Sequence, residues 1–485
     1  MIIEQLDIAF HPRSIAVIGI SDGTISVGQN FIQQLKDYGY SGRIYPVTKN
    51  GVEVLGLRTY AALKDVPGGV DYVICCLPAS EVLDLLRECS EKDVKVVHLF
   101  TARFSETGKE EATQLEKDIL RLAKDLSIRI IGPNCMGVYH PKEGIGFAFD
   151  FPKEPGKLGM FLQSGGAASE FVYYASLRGI RISKMMSYGN ALDINETDIL
   201  KYLANDKETE IIAGYIEGIR DGRAFTQQLS QTTPSKPVII LKAGRGSAGA
   251  KAAASHTAAM AGSKDAWTAA FRQSGVIEAR TLQDMIDLIV SFYFLPPILG
   301  TRVGIAGGGG GNSVLSATEW GEAGFDVVPL PQETEDMIRE TMPELWWGWI
   351  RNPVDLSILP INDSSPNLSG EIMKMMAGSD DFDFVVANFA IGGPFSKEQL
   401  HLYLNKQVED VIEARQMGTK PLVAVIDTGT LTPSEFDDLR WKSLAEVTPR
   451  LIDAGIPIFS NNALAAAAIM RQIEYYQRRE ALRSG

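Results

Sequence analysis

The sequence of 485 residues is poor in the side chains that build covalent frameworks and metal centres. It has only four cysteines, and their positions follow neither metal-ligand spacing nor a disulfide framework. It has only five histidines, one of them His256 in a run of small residues. We therefore expect free thiols, a cytoplasmic location and no metal site.

Long hydrophobic runs and positive charge are also scarce. The first residues show no basic stretch followed by an apolar core, so we expect no signal peptide. The most apolar run, LIVSFYFLPPIL (288–299), contains two prolines and is too short to span a bilayer. The net charge of −13 argues against a nucleic-acid-binding surface. We expect neither a membrane nor a nucleic acid as partner, although backbone amides still allow small anions to bind.

Three stretches share one design, in which an apolar strand runs into a glycine-rich turn and then into a helical pattern. They are SIAVIGISDG (14–23), LGMFLQSGGA (158–167) and RVGIAGGGGG (302–311). This is the opening of a parallel α/β unit. Further Val/Ile/Leu runs alternate with amphipathic stretches, as expected for strands that are buried on both faces. The pattern predicts an α/β fold built from parallel sheets.

Three openings predict three domains. Proline- and glycine-containing stretches separate them at FDFPKEPGK (149–157) and FLPPILGTR (294–302). We therefore divide the chain at residues 1–150, 151–298 and 299–485.

The first glycine turn does not have the G-x-G-x-x-G form of a dinucleotide site. Where such a site places an acidic residue after the second strand, this chain has Lys49. A lysine there favours a phosphate-rich adenine nucleotide such as coenzyme A over NAD, and so disfavours a dehydrogenase. A solvated surface lysine is the alternative interpretation.

Several motifs, taken together, resemble the ADP-forming acyl-CoA synthetases, which are relatives of succinyl-CoA synthetase. They are the first strand with its following segment through TYAAL, IRIIGPNCMGV, FLQSGGAASEF, SYGNALDIN, YIEGI, SHTAAMAGS and NPVDLS. The resemblance covers nearly the whole chain in family order. It implies an N-terminal Rossmann-like coenzyme A-binding domain and two flavodoxin-like domains of the succinyl-CoA synthetase type.

The resemblance also assigns residues to coenzyme A. They are Gly19, Ser21, Gly28, Lys49, Pro78 and Thr101. In the second domain, the family's S-H-T-G-A histidine corresponds to His256, which would carry a phosphoryl group. The family glycine after Thr257 is Ala258 here. Glu217 in YIEGI matches a glutamate that orients the histidine, whereas an ordinary charged residue at a strand end is the alternative.

The QSGGA turn precedes a helical stretch, so its free N–H groups form a cradle for phosphate. We assign Ser164, Gly165 and Gly166 to phosphate or to the phosphohistidine. By resemblance, Ser169 and Asn134 lie near the acid substrate, and Asn134 also shapes the loop that faces the histidine. Cys135, beside Asn134, is interpreted as structural.

The family reaction also needs an ATP-grasp domain for ADP or ATP with Mg²⁺, and no segment of this chain is left over for one. The five consecutive glycines of the third domain are not a P-loop. The chain therefore resembles an α-type subunit with an ATP-grasp β-type partner, in a hetero-oligomer or homodimer. The implied function is an acid–thiol ligase acting on acyl-CoA and carboxylic acid. The alternative is a coenzyme A- or acyl-CoA-binding protein that has lost phosphoryl transfer.

Overall fold

The structure, a computed structural model, describes most of the chain. The described residues are 2–20, 26–49, 53–246, 263–341, 351–356, 367–389, 391, 396–427 and 439–484. The chain divides into two compact units, Met1–Met285 and Ile286–Gly485. The finer division into three domains stays a prediction. Within the described residues, no helix has both the length and the apolar character needed to cross a bilayer.

The first unit begins with a five-stranded parallel sheet and a small hairpin. The strands are β1 (Ser14–Ile18), β2 (Arg43–Val47), β3 (Glu53–Val54), β4 (Leu57–Arg58), β5 (Tyr72–Cys75), β6 (Val96–Leu99) and β7 (Arg129–Ile131). The sheet order is β2-β1-β5-β6-β7, and β3 pairs with β4. The helices are α1 (Ile2–Phe10), α2 (Val27–Asp37), α3 (Val82–Glu91) and α4 (Glu110–Asp125).

A second sheet of six strands completes the first unit. Its strands are β8 (Gly137–Tyr139), β9 (Leu158–Leu162), β10 (Ile182–Ser187), β11 (Ile211–Ile216), β12 (Val238–Lys242) and β13 (Ile277–Ala279). The order is β13-β12-β11-β9-β10-β8, parallel except for β8, which runs antiparallel to β10. The helices are α5 (Gly165–Leu177), α6 (Glu196–Asn205), α7 (Gly222–Thr232) and α8 (Lys264–Ser274), and α9 (Leu282–Phe294) begins in the first unit and continues into the second.

The second unit contains a four-stranded parallel sheet. Its strands, in sheet order, are β14 (Val303–Gly307), β15 (Phe384–Phe389), β16 (Leu422–Ile426) and β17 (Ile458–Phe459). The helices are α10 (Gly310–Glu322), α11 (Gln332–Thr341), α12 (Leu368–Gly378), α13 (Lys397–Met417), α14 (Leu439–Asp453) and α15 (Asn462–Ser484).

Burial explains why these apolar runs form strands. Every residue of β1, β9, β12, β14, β15 and β16 is buried, which is the pattern of parallel strands covered on both faces. The openings at 158–167 and 302–311 form strand, turn and helix as expected. In the first opening, residues 21–25 lie outside the described residues. The predicted α/β fold with parallel sheets is confirmed.

Candidate functional site

The first candidate site lies at the carboxyl ends of the strands of the first sheet. The chain runs from β1 to β2 and then crosses to β5 on the other side of β1, which is where open parallel sheets bind ligands. Gly19 follows β1 with a φ of +88°, and a Cβ atom there would lie 2.6 Å from the carbonyl carbon of Cys76. The turn after β1 therefore packs directly on the turn after β5, which requires glycine.

Three more residues assigned to coenzyme A lie at the same edge. Thr101 follows β6, and its hydroxyl donates to the carbonyl oxygen of Leu77, which joins the ends of β5 and β6. Pro78 is exposed directly before the short turn Ala79–Glu81. Lys49 lies two residues beyond β2 and is exposed, so its ammonium group is accessible to a ligand.

The start of α2 packs against the end of β1. A Cβ atom on Gly28 would lie 3.0 Å from Cγ1 of Ile20, so glycine allows a close approach of helix and strand. The Ser26 hydroxyl accepts a hydrogen bond from the N–H of Gln29 and caps the helix. Ser21, also assigned to coenzyme A, lies outside the described residues.

The second candidate site is an open cleft of about 300 Å³ in the first unit. Residues 134–136 of the GPNCMG segment and residues 163–166 of the QSGGA turn both line it. Gly189 and Asn190 line it as well. The structure thus brings Asn134 together with Ser164, Gly165 and Gly166, which the sequence assigned to acid and phosphate.

The buried side chain of His98 packs against the GPNCMG segment. His98 Nε2 lies 3.0 Å from the carbonyl oxygen of Cys135, and a Cβ atom on Gly137 would lie 2.6 Å from the imidazole ring. Burial lowers the pKa of His98 to about 4, so the ring is neutral at pH 7. The backbone N–H of Asn134 donates to the carbonyl oxygen of Thr101 at 2.9 Å, which connects this segment to the first site.

Burial also raises the pKa of the Cys135 thiol. A protonated, buried thiol is a poor nucleophile. This agrees with the interpretation of Cys135 as a structural residue.

The N-terminus of α5 presents free donors to the cleft. The Ser164 hydroxyl accepts from the N–H of Ala167 at 3.2 Å, and the Ser164 carbonyl accepts from the N–H of Ala168 at 3.0 Å. In the described part of the chain, the N–H groups of Gly165 and Gly166 donate to no protein group. Because both groups lie at the positive end of a 13-residue helix, they suit an anion.

Glu217 follows β11 and is only 7% exposed. Its carboxylate accepts from the hydroxyl of Tyr215 at 3.4 Å. Its backbone N–H and that of Gly218 donate to the side-chain oxygen of Gln163, which also lines the cleft. Glu217 is therefore a buried carboxylate at the end of β11, and its proposed role toward the histidine stays a prediction.

Lys242, the last residue of β12, contacts the backbone of Glu217. Its ammonium group donates to the carbonyl oxygen of Glu217 at 2.7 Å and lies 5.2 Å from the centre of the Trp267 ring. Burial lowers its pKa to about 8, and the Arg245 guanidinium acts in the same direction.

Polar side chains also support the wall formed by Gly189 and Asn190. The Asn190 amide donates to Glu106 at 2.7 Å and to Glu116 at 3.2 Å, while Arg220 donates to the Asn190 carbonyl oxygen at 3.2 Å. Burial raises the pKa of the neighbouring Glu196 to about 7, because the Arg220 charge opposes the rise only in part. The hydrogen bonds to Glu106, Glu116 and Arg220 therefore hold Asn190 in place in the wall of the cleft.

Ser169 is a predicted site residue that does not line the cleft. Its hydroxyl donates back to the Gly165 carbonyl oxygen at 3.2 Å within α5. His256 and Ala258 lie outside the described residues. Sequence reasoning assigned no role to Gln163 or Asn190, although each lies within a motif that had been recognised.

Comparison with protein families identifies both parts of the first unit. Residues 13–141 match a CoA binding domain, and residues 155–292 match a succinyl-CoA ligase like flavodoxin domain. The matched ranges contain the two candidate sites.

Proteins of known activity show the same relationship. The II subunit alpha of the ADP-forming acetate–CoA ligase of Pyrococcus furiosus is 39% identical over 352 residues, which are 73% of this chain and 76% of that protein. The ADP-forming acetate–CoA ligase of Methanocaldococcus jannaschii is 35% identical over 75% of this chain and 50% of that protein. This chain therefore corresponds to about half of the longer enzyme.

A solved structure extends the likeness to the fold. The dinucleotide-forming acetyl-coenzyme A synthetase 1 of Ca. Korarchaeum cryptofilum, in complex with phosphate and ADP, aligns with a TM-score of 0.81. The identity is 27%, and the alignment covers 99% of this chain and 98% of that chain.

The fold and the matched domains define an acid–thiol ligase of the succinyl-CoA synthetase type. The chain belongs to the family of ADP-forming acyl-CoA synthetases and is of the α-subunit type. These relatives favour the ligase over a binding protein that has lost phosphoryl transfer.

Proposed function

We propose that this chain, together with a nucleotide-binding partner, interconverts acyl-CoA, phosphate and ADP with carboxylic acid, coenzyme A and ATP. The observation that carries the proposal is the cleft that joins the GPNCMG segment to the free N–H groups of Gly165 and Gly166. Fixed backbone dipoles stabilise a phosphate and a developing oxyanion without reorganisation. They do so despite a net charge of −13 for the whole chain.

Coenzyme A would bind at the carboxyl edge of the first sheet. The contact residues would be Gly19, Ser21, Gly28, Lys49, Pro78 and Thr101. The close turn at Gly19 brings the ends of β1 and β5 together, and the exposed Lys49 ammonium would pair with a phosphate of the nucleotide. Coenzyme A supplies the thiol that forms and leaves the thioester.

In the ATP-forming direction, a phosphate oxygen attacks the thioester carbonyl carbon. The carbon–sulfur bond breaks, the thiolate takes the proton from phosphate, and an acyl phosphate remains in the cleft. Asn134 would lie near the acyl group, whereas Ser169 does not line the cleft. The same steps in reverse activate a carboxylic acid.

His256 would then attack the phosphorus atom of the acyl phosphate, and the carboxylate would leave. The Glu217 carboxylate would accept the distal imidazole N–H and support the positive charge of the ring. A phosphate oxygen of ADP finally attacks the phosphohistidine, which breaks the phosphorus–nitrogen bond and regenerates the imidazole. Ser164, Gly165 and Gly166 would hold the phosphoryl group during these transfers.

ADP and Mg²⁺ would bind to an ATP-grasp β-type subunit, and the active assembly would be a hetero-oligomer or homodimer in the cytoplasm. Residues 1–150 would form the coenzyme A domain, 151–298 the phosphohistidine domain and 299–485 a second flavodoxin-type domain.

The test is to incubate the full chain with radiolabelled phosphate and a panel of acyl-CoAs, alongside the His256→Ala variant. An acid-labile, alkali-stable label that is absent from H256A is expected. The matched control is His401→Ala, a histidine of α13 in the second unit, which should label like wild type. The acyl-CoA that supports labelling identifies the acid.

Labelling with ATP and the candidate β-type subunit separates a missing partner from a missing activity. If neither acyl-CoA nor ATP labels wild type in the complex, the proposed function is wrong. Coenzyme A binding without any label would then favour the binding protein.

A further inference from the structure

Gln163 joins two parts of the cleft that the reaction must coordinate. It directly follows β9, and its backbone N–H donates to the carbonyl oxygen of Tyr215 on β11 at 3.1 Å. Its side chain then crosses to the end of β11, where its oxygen accepts from the N–H groups of Glu217 and Gly218. Gln163 is only 7% exposed and lines the cleft.

These contacts fix the orientation of the amide. Because both partners are backbone N–H donors, the atom facing them must be the oxygen Oε1 and not the nitrogen Nε2. Within the described residues, Nε2 donates to no protein group, so the amide leaves two N–H donors for a ligand of the cleft.

The free donors of the cleft therefore come from two sources. The N–H groups of Gly165 and Gly166 lie at the N-terminus of α5, close to Gln163 in the chain. The Gln163 amide adds further N–H donors from its side chain. All of these groups are neutral donors, and a phosphoryl group presents only acceptors when it is ionised.

We propose that Gln163 binds the phosphoryl oxygens through Nε2 while it positions Glu217 through Oε1. The proposal rests on the proposed function for the identity of the anion. The same side chain then contacts both the bound phosphate and the Glu217 backbone. Binding of phosphate would therefore also restrict the position of Glu217. Gln163 is a ligand contact on one side and a positioning residue on the other.

Two substitutions separate the two roles. Gln163→Glu keeps an acceptor for the Glu217 and Gly218 N–H groups but replaces the donor by a carboxylate. Gln163→Met has a similar length and removes both donor and acceptor without adding charge. Gln227→Glu and Gln227→Met, on the exposed surface of α7, are the matched controls.

The first measurement is binding of inorganic phosphate to the full chain, followed by ³¹P NMR line broadening. Because a hydrogen bond to a charged group is strong, we expect both Gln163 variants to bind phosphate about tenfold more weakly or worse. The Gln227 variants should match wild type. Thermal unfolding of each variant confirms that the binding is measured on folded protein.

The second measurement is steady-state kinetics with the partner subunit. Gln163→Glu should mainly raise KM for phosphate, whereas Gln163→Met should also lower kcat, because Glu217 loses its backbone support. A purely structural role would lower stability and leave this split absent.

Unchanged phosphate affinity in both Gln163 variants would overturn the donor role, even if wild type still forms the phosphohistidine. Conversely, weakened phosphate binding in the variants, with no phosphohistidine in wild type, would support Gln163 while the proposed function fails. If Q163E does not fold, Q163M alone decides the donor role by the same comparison.

Discussion

Gly165 lies directly against Met136, so that a Cβ atom on Gly165 would approach Met136 Cγ to 2.6 Å. This contact joins the QSGGA turn to the GPNCMG segment across the cleft. The neighbouring Gly166 has open space, with only the Ser164 hydroxyl at 3.9 Å. The two adjacent glycines therefore differ in what they allow.

We expect Gly165→Ala to push Met136 into the cleft and to weaken phosphate binding several-fold. Overpacking of this kind destabilises a protein by about 1–3 kcal/mol. Gly166→Ala is the matched control for stability and should leave the free energy of unfolding unchanged or raise it by about 0.5–1 kcal/mol, because alanine is the better helix former. Urea unfolding of both variants and phosphate titration of Gly165→Ala check this, and an equal change in unfolding free energy in the two variants would refute the role of the Met136 contact.

The Glu196 carboxyl makes stability depend on pH. Its folded pKa of about 7 lies above its ordinary value of 4.5, so its contribution is full below pH 4.5 and is lost as pH rises through 7. Glu196→Gln should therefore gain stability relative to wild type as pH rises, by roughly 3 kcal/mol at pH 8.

The measurement is urea unfolding of both proteins between pH 4.5 and 8. Glu170→Gln, an exposed glutamate of α5, serves as control and should follow wild type. A constant difference between E196Q and wild type over this range would contradict the prediction.

Lys242 should titrate within reach of a fluorescent reporter. Its pKa is lowered to about 8, and its ammonium group lies 5.2 Å from the centre of the Trp267 ring. We expect the part of the tryptophan emission that is lost in Trp267→Phe to change with a midpoint near pH 8. The change should disappear in Lys242→Met.

Linkage gives this lysine a second signature. Because folding lowers its pKa from 10.5, wild type should gain stability relative to K242M as pH rises from about 8 to 10.5. A fluorescence midpoint that persists in K242M would assign the change to another group.

Lys49 tests the coenzyme A assignment. If its ammonium pairs with a phosphate of the nucleotide, Lys49→Glu should weaken coenzyme A binding about tenfold or more, and added salt should reduce the difference. Lys117→Glu, on the exposed face of α4, makes the same charge change and should bind normally. Calorimetric titration of coenzyme A decides it, and equal affinity of K49E and wild type would favour a solvated surface lysine.

Strand positions followed from the sequence where burial is complete. For example, the apolar run KPVIILKAG (236–244) contains β12, Val238–Lys242. Such segments carry their own signal, because a strand covered on both faces needs an unbroken apolar run. The short strand β8 carried none, since three residues are too few for a pattern and its partner β10 lies far along the chain.

The candidate site was predictable only as separate turns. Ser164 with its glycines and Asn134 with its cysteine are local motifs, and the sequence could identify each one alone. The meeting of these two turns in one cleft depends on β10 lying between β8 and β9, and the contact of Gln163 with Glu217 depends on β9 and β11 being neighbours. That order is set by packing of the whole sheet and leaves no mark on the residues near Gln163.

The antiparallel strand β8 connects the two sheets of the first unit. The chain leaves β7 of the first sheet, forms the cleft segment and at once pairs with β10 of the second through residues 137–139. A fragment that ends at residue 150 would contain β8 without its hydrogen-bonding partner β10. The backbone N–H and C=O groups of β8 that pair with β10 would then be exposed. Proteolytic cleavage within 149–157 should therefore leave the two fragments associated, because β8 of the first fragment stays hydrogen-bonded to β10 of the second.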